Sequence, residues 1–167
     1  MDPLTETQLR TSFVNASRRE AAKATLPDLS ACRWDDLDYL GWRDRKAPLL
    51  AYAVVPVAGE PVGILLRSSD AARSPRKALC AWCEDVVATD DVSLYVARRG
   101  GAPGRRGDSI GTLICTQFLC SRNVRRVPSR AEAGTGSQAD RELIVWRRIA
   151  GLRERAARFA GEVRRTC

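Results

Sequence analysis

Histidine is absent from the chain. That removes the Ser-His and Cys-His dyads of nucleophilic catalysis and the commonest neutral metal ligand. Any mixed Cys/His metal site is excluded with them. Long apolar runs are missing too. The most apolar stretch, residues 47–58, is shorter than the roughly 20 residues a membrane helix needs, and Pro48 and Pro56 mark it as a strand. The N-terminal MDPLTETQLR has neither a basic start nor an apolar run, so no secretory signal is expected, and the setting is taken as cytoplasmic and reducing. Gly100-Gly101 fits neither a phosphate loop nor a dinucleotide fingerprint, and no helix is expected after it. Asp35, Asp36 and Asp38 lie in an aromatic-rich turn and Asp90-Asp91 precede a strand; both groups are expected to cap backbone rather than to act as acids or bases. With so little catalytic equipment, the chain reads as a binding module and not an enzyme.

What is present suits one soluble globular domain over residues 1–167, with 44% apolar and 29% charged residues and no internal repeat. The net charge of +8 is unevenly placed: through Asp70 there are 9 Lys and Arg against 10 Asp and Glu, and after it 19 against 10. Four thiolates holding one divalent ion would lower the total to about +6. A basic half favours a polyanionic surface, whether RNA, an acidic protein face or a ribosomal complex; solubility alone is the plainer explanation.

Thr5 with Gln8 forms a capping-box pattern, followed by Leu9, Phe13 and alanines at helical spacing, which predicts one N-terminal helix ending before Pro27. Residues 34–42 are rich in aromatics and turn formers, a helical turn or a loop. Residues 49–57 and 62–67 read as a β-hairpin across Ala58-Gly59-Glu60-Pro61. A polar linker, 68–76, precedes the first cysteine pair. Residues 92–97 and 110–114 make a second hairpin whose glycine-rich 100–107 connection is a mobile basic tip. After Cys120 a short helix is expected, then a loose segment over 128–138. The clearest element is last. Behind a Ser137/Asp140 cap, Val145, Ile149, Leu152, Ala156, Phe159 and Val163 form one apolar stripe on a long helix. Gly151 and Gly161 invite a bend or fraying there, each at about 1 kcal/mol relative to Ala, and Trp146 beside the stripe reads as a partner contact or as the edge of the core, the latter favoured.

Cys80 and Cys83 are spaced C-x2-C, and Cys115 and Cys120 C-x4-C. Two close pairs joined by a hairpin offer four soft ligands at low loop entropy, as one structural Zn2+ requires. The order of knuckle, hairpin, strand end and helix start suits a treble-clef finger, with its zinc core at about 78–127. Disulfides, a redox C-x-x-C and four ordinary buried thiols are the competing explanations. A closed set of four thiolates leaves no open position for catalytic water. Cys32 is read as a buried apolar residue and Cys167 as an exposed terminal one.

Trp34-Asp35-Asp36-Leu37-Asp38-Tyr39-Leu40-Gly41-Trp42-Arg43-Asp44, the hairpin ending Gly63-Ile64-Leu65-Leu66-Arg67, Leu79-Cys80-Ala81-Trp82-Cys83, and Gly111-Thr112-Leu113-Ile114-Cys115 with Cys120-Ser121-Arg122-Asn123 resemble the treble-clef zinc-finger domain of the elongation factor G-binding proteins, the family of the fusidic-acid-resistance proteins. The likeness runs from about residue 12 to the C-terminal helix. It implies an α+β fold of N-terminal helix, β-hairpins, zinc finger and long C-terminal helix, with Cys80, Cys83, Cys115 and Cys120 as ligands. It also implies binding to elongation factor G and release of that factor from the ribosome, including when fusidic acid has stalled it. The resistance proteins carry a helical domain ahead of the finger, where this sequence has a single predicted helix, so binding is expected to survive where drug protection does not.

Arg122, Arg125 and Arg126 follow the last cysteine. With Arg105-Arg106 at the hairpin tip and Arg147-Arg148 on the last helix, they are the candidate basic face for a partner. The expected partner is elongation factor G, bound by a monomer away from membranes. The rival is a zinc-scaffolded RNA- or ribosome-binding protein whose arginines meet phosphates, with steep salt dependence; few exposed aromatics are expected for base stacking.

Overall fold

The computed structural model describes residues 1–68, 77–86, 91–134 and 136–165. The 68–76 linker, Asp90 and Cys167 therefore lie wholly or almost wholly outside the described residues. Strands β1 (Leu40–Arg43), β2 (Leu50–Val57), β3 (Glu60–Ser68), β4 (Val92–Arg98) and β5 (Ser109–Cys115) form one antiparallel sheet in chain order. The helices are α1 (Glu6–Ser12), α2 (Arg18–Lys23), α3 (Gly101–Arg105), α4 (Cys120–Val124), α5 (Arg130–Ala133) and α6 (Gln138–Arg164).

The β2–β3 hairpin follows from its turn chemistry. Ala58 and Gly59 both take positive φ, 51° and 84°, as a two-residue turn matched to strand twist requires. Val57 pairs with Glu60, which places Pro56 opposite Pro61 in the adjoining pair that exchanges no hydrogen bonds. Two prolines are tolerated there because neither N–H is needed. Residues 51–55 are buried throughout because β2 is covered on both faces: Ala51, Ala53 and Val55 point to the main core, Tyr52 and Val54 to a second one. The main core is closed by Leu152, Ala156, Phe159, Ala160 and Val163 of α6, the second by Leu9 of α1 with Trp42 and Leu65.

The single N-terminal helix is instead two. Ser17 and Glu20 form a second capping box that starts α2, and the chain between is claimed by the sheet. Phe13 bridges Gly63 in parallel, and the Val14 N–H donates to the Gly63 carbonyl at 2.9 Å. The Asn15 side chain accepts from the Leu65 N–H at 2.8 Å and donates to the carbonyls of Leu65 and Arg98, both at 2.9 Å. It stands as a wedge where β3 and β4, paired among the described residues through Arg67 and Ser68, diverge.

Residues 34–42 resolve into a 3-10 turn at Trp34–Asp36 and then strand β1. Gly41 of β1 lets Phe118 approach: a Cβ there would lie 2.5 Å from the Phe118 Cδ1. The glycine-rich tip is a helix, α3, so a short helix does follow Gly100-Gly101. It is held against α6, since the Gly100 N–H donates to the Val163 carbonyl at 2.7 Å. The segment expected to be loose contains α5, begun by a Ser129/Glu132 capping box. Helix α6 has the expected Ser137/Asp140 box and runs unbroken through Gly151 and Gly161 to Arg164. In its first half Leu143 is 45% and Trp146 66% exposed, so Trp146 is not part of the core.

Gly41→Ala should destabilise the fold by about 1–3 kcal/mol through overpacking against Phe118. Thermal unfolding checks this, and an unchanged midpoint would show that Phe118 can move aside at no cost.

Candidate metal centre

Each cysteine pair sits where backbone geometry changes direction. Cys80 and Cys83 flank a turn in which the Glu84 N–H donates to the Cys80 carbonyl at 2.9 Å. Cys115 ends β5, the Phe118 N–H donates to its carbonyl at 2.9 Å, and Cys120 opens α4. Glu84 and Phe118 both adopt left-handed φ, 50° and 57°, a conformation costing a non-glycine residue about 1–2 kcal/mol. Two knuckles thus retain strained residues that something else must hold. The Ala81 N–H, donating to the Leu113 carbonyl at 2.7 Å, ties the first knuckle to the strand carrying the second.

The four sulfurs lie within 4.8 Å of one another, and every cysteine is buried, 4% exposed or less. The Cys80–Cys120 and Cys83–Cys115 Sγ separations are 3.6 and 3.7 Å. A tetrahedron with metal–sulfur bonds of about 2.3 Å has edges of about 3.8 Å, whereas a disulfide needs about 2.05 Å. All four thiols are free. The donor set therefore fits a tetrahedral, thiophilic divalent ion, and the four cysteines are positioned to bind a metal. Hydrogen bonds from Cys115, Cys120 and Cys83 pull the Cys80 thiol far below its usual range. Bonds to Cys115, Cys80 and Cys83 hold the Cys120 proton. Crowded sulfurs cannot all ionise side by side without a cation.

The surroundings stabilise sulfur charge and exclude water. The Cys83 N–H donates to Cys80 Sγ and Asn123 Nδ2 to Cys115 Sγ, both at 3.4 Å. Trp82, inside the first knuckle, packs edge-on to Tyr39 and tilted to Phe159 of α6. Arg155 of α6 donates to the Trp82 carbonyl at 2.8 Å and pairs with Glu84 at 3.0 Å. Burial, and then Cys120 beside it, pushes the Tyr39 phenol well above its normal pKa, so it stays neutral.

Asp38 is not a turn cap. Its side chain is wholly inaccessible; it accepts from Arg125 at 2.5 Å and from Arg153 at 2.8 Å, while its own N–H donates to Ser121 Oγ at 2.9 Å. One carboxylate thereby joins the approach to β1, the end of α4 and the middle of α6.

Three of the candidate partner-binding arginines are thus engaged internally: Arg125 by Asp38, Arg126 by Asp85 at 3.3 Å and Glu132 at 3.4 Å, and Arg148 by Glu132. Arg148 also donates to the Arg126 carbonyl at 3.0 Å. The Ser129 N–H and hydroxyl of the capping box, with Arg126 and Arg148 behind them, pull the Glu132 carboxyl down to about 2. A depressed carboxyl contributes stability above its usual 4.5 that is lost as pH falls through about 2, so this cluster stays intact at neutral pH. Arg105, Arg106, Arg122 and Arg147 are exposed and carry no ion pair among the described residues. They do not share one face. Arg105 and Arg106 lie beside the end of α6 near Val163, about 24 Å along the helix from Arg147. Cys32 is half-buried, not buried, and its thiol donates to the Asp28 carbonyl at 3.4 Å.

A knuckle, a hairpin and a helix entry carrying four convergent cysteines define a treble-clef finger. The model of the family described as FBP C-terminal treble-clef zinc-finger matches residues 8–163, and the chain belongs to that family. In fold it is similar to the fusidic acid resistance protein FusC, with a TM-score of 0.54 and 22% identity over 74% of this chain and 52% of that one. The chain thus spans about half the length of that structure. No significant match to a curated protein sequence was found.

Stripping the metal should collapse the half built on β4, β5 and α4, because structural sites of this type bind with about 10–16 kcal/mol, more than most domains' net stability. Chelation should lower the melting midpoint and shift the fluorescence of buried Trp82, and Cys83→Ser should do the same. A melting curve indifferent to chelator and to Cys83→Ser would show that the sulfurs are ordinary core thiols.

Proposed function

We propose that one structural Zn2+ holds this domain in a rigid form that binds elongation factor G and modulates that factor's release from the ribosome. The observation that carries the reading is family membership over residues 8–163; the fold likeness to a fusidic acid resistance protein supports it. The chemistry of the site agrees. Four buried cysteines gathered this closely would, as thiolates, close the coordination sphere of a bound ion and leave no position for the water a catalytic zinc would activate. The domain's role is therefore binding rather than catalysis, exerted by a monomer in the cytoplasm. Among the described residues, no helix is long and apolar enough to cross a membrane.

A zinc-pinned surface loses little entropy on association, because few groups need ordering. The exposed arginines supply long-range attraction to an acidic partner, which raises the encounter rate and weakens with salt. Protection against fusidic acid is to be assayed separately from binding.

Calorimetric titration of nuclease-treated, metal-loaded protein with elongation factor G should give saturable one-to-one binding, weakened but not abolished by moderate salt. Binding that disappears with nuclease, or affinity for RNA whose logarithm falls steeply with salt, would transfer the function to nucleic acid.

A further inference from the structure

A groove of about 930 Å³ runs between the segment leading into β1 and the second knuckle with its helix α4. Its floor is apolar and buried, formed by Leu40 and Phe118, with Leu37 packed beside them. Leu119, 37% exposed, and Val127, 71% exposed, form the lip. Four arginines, Arg33, Arg122, Arg125 and Arg126, line it against one carboxylate, Asp36. Arg33 pairs with Asp36 at 2.6 Å, and Arg125 and Arg126 turn inward to Asp38 and Asp85, whereas Arg122 carries no ion pair among the described residues.

We propose that this groove is the docking site for an apolar segment, flanked by acidic side chains, of a partner protein. The proposal rests on the reading of the chain as a protein-binding module and locates its contact surface. Three observations select this occupant. First, the floor suits side chains and not phosphates: the lone aromatic lining it, Phe118, is buried, so it offers no platform on which a base could stack. Second, a second copy of this chain carries the same +8 charge and is repelled from an arginine-lined groove. Third, the groove is preformed. Its walls are tied by the Asp38–Arg125 pair, the Asp38 N–H to Ser121 bond and the Tyr39 hydroxyl, which donates to the Phe118 carbonyl at 3.4 Å. A preformed apolar groove with cationic lips takes an amphipathic segment by burying its apolar anchors, and the lips pair with the flanking carboxylates.

The test is the double variant Val127→Asp, Arg122→Glu, which changes two exposed lip residues. It should bind elongation factor G at least tenfold more weakly at an unchanged melting midpoint, whereas Trp146→Ala, outside the groove, should bind normally. Should the double variant melt early, Arg122→Glu alone is read in its place. Undiminished affinity in the variant, or loss with Trp146→Ala alone, overturns the groove and leaves the elongation factor reading intact. If the wild type does not bind the factor, that reading fails, and panning the protein against displayed short random peptides decides the groove separately. Enriched apolar-acidic peptides lost on the double variant uphold it; no enrichment, or binding indifferent to the variant, overturns it.

Discussion

Four sulfur atoms held within 4.8 Å of one another are the constraint on which this half of the molecule depends. Thiols gathered so closely in a buried place favour a tetrahedral cation, and the knuckles that deliver them contain two non-glycine residues at positive φ. Such backbone persists only where the surroundings over-determine it. The metal-ready cluster does so together with Trp82, whose carbonyl is held by Arg155 and whose ring lies between Tyr39 and Phe159. Helix α6 is therefore both the lid of the main core and the brace of the first knuckle.

The second brace is Asp38. A buried carboxylate is costly unless its hydrogen bonds are satisfied, and here two guanidinium groups from different helices satisfy it. Loss of the carboxylate would strand both arginines and separate the wall of the apolar groove from α4. Arg125 and Arg126, which look like a solvent-facing basic patch, are thus structural in their main contacts. Arg122 and Arg147, which carry no ion pair among the described residues, are left for long-range attraction. Charge and apolar surface divide the work of recognition: the first speeds encounter, the second supplies most of the affinity.

Much of this was legible in the chain because it rests on local signals. Cysteine spacing, the Ala58-Gly59 turn, the Ser137/Asp140 box and the α6 stripe each lie within a few residues of the structure they specify. What escaped depends on distant partners. The break after Ser12 is made by Gly63 and Leu65, some fifty residues on, and β1 exists because β2 pairs with it. Asp38 finds Arg125 and Arg153 across 87 and 115 residues, so its composition-level appearance as a turn former was misleading. Trp146 lies beside the α6 stripe, yet it is 66% exposed, because its place on the helix faces away from the buried stripe of Leu152, Ala156 and Phe159. The Ser129/Glu132 box is a local signal masked by a glycine- and alanine-rich composition.

The most direct test of the account is X-ray absorption at the zinc edge on purified, metal-assayed protein. One zinc per chain with four sulfur neighbours at about 2.3 Å is expected. A first shell containing nitrogen or oxygen, or protein that is fully folded without metal, would contradict it.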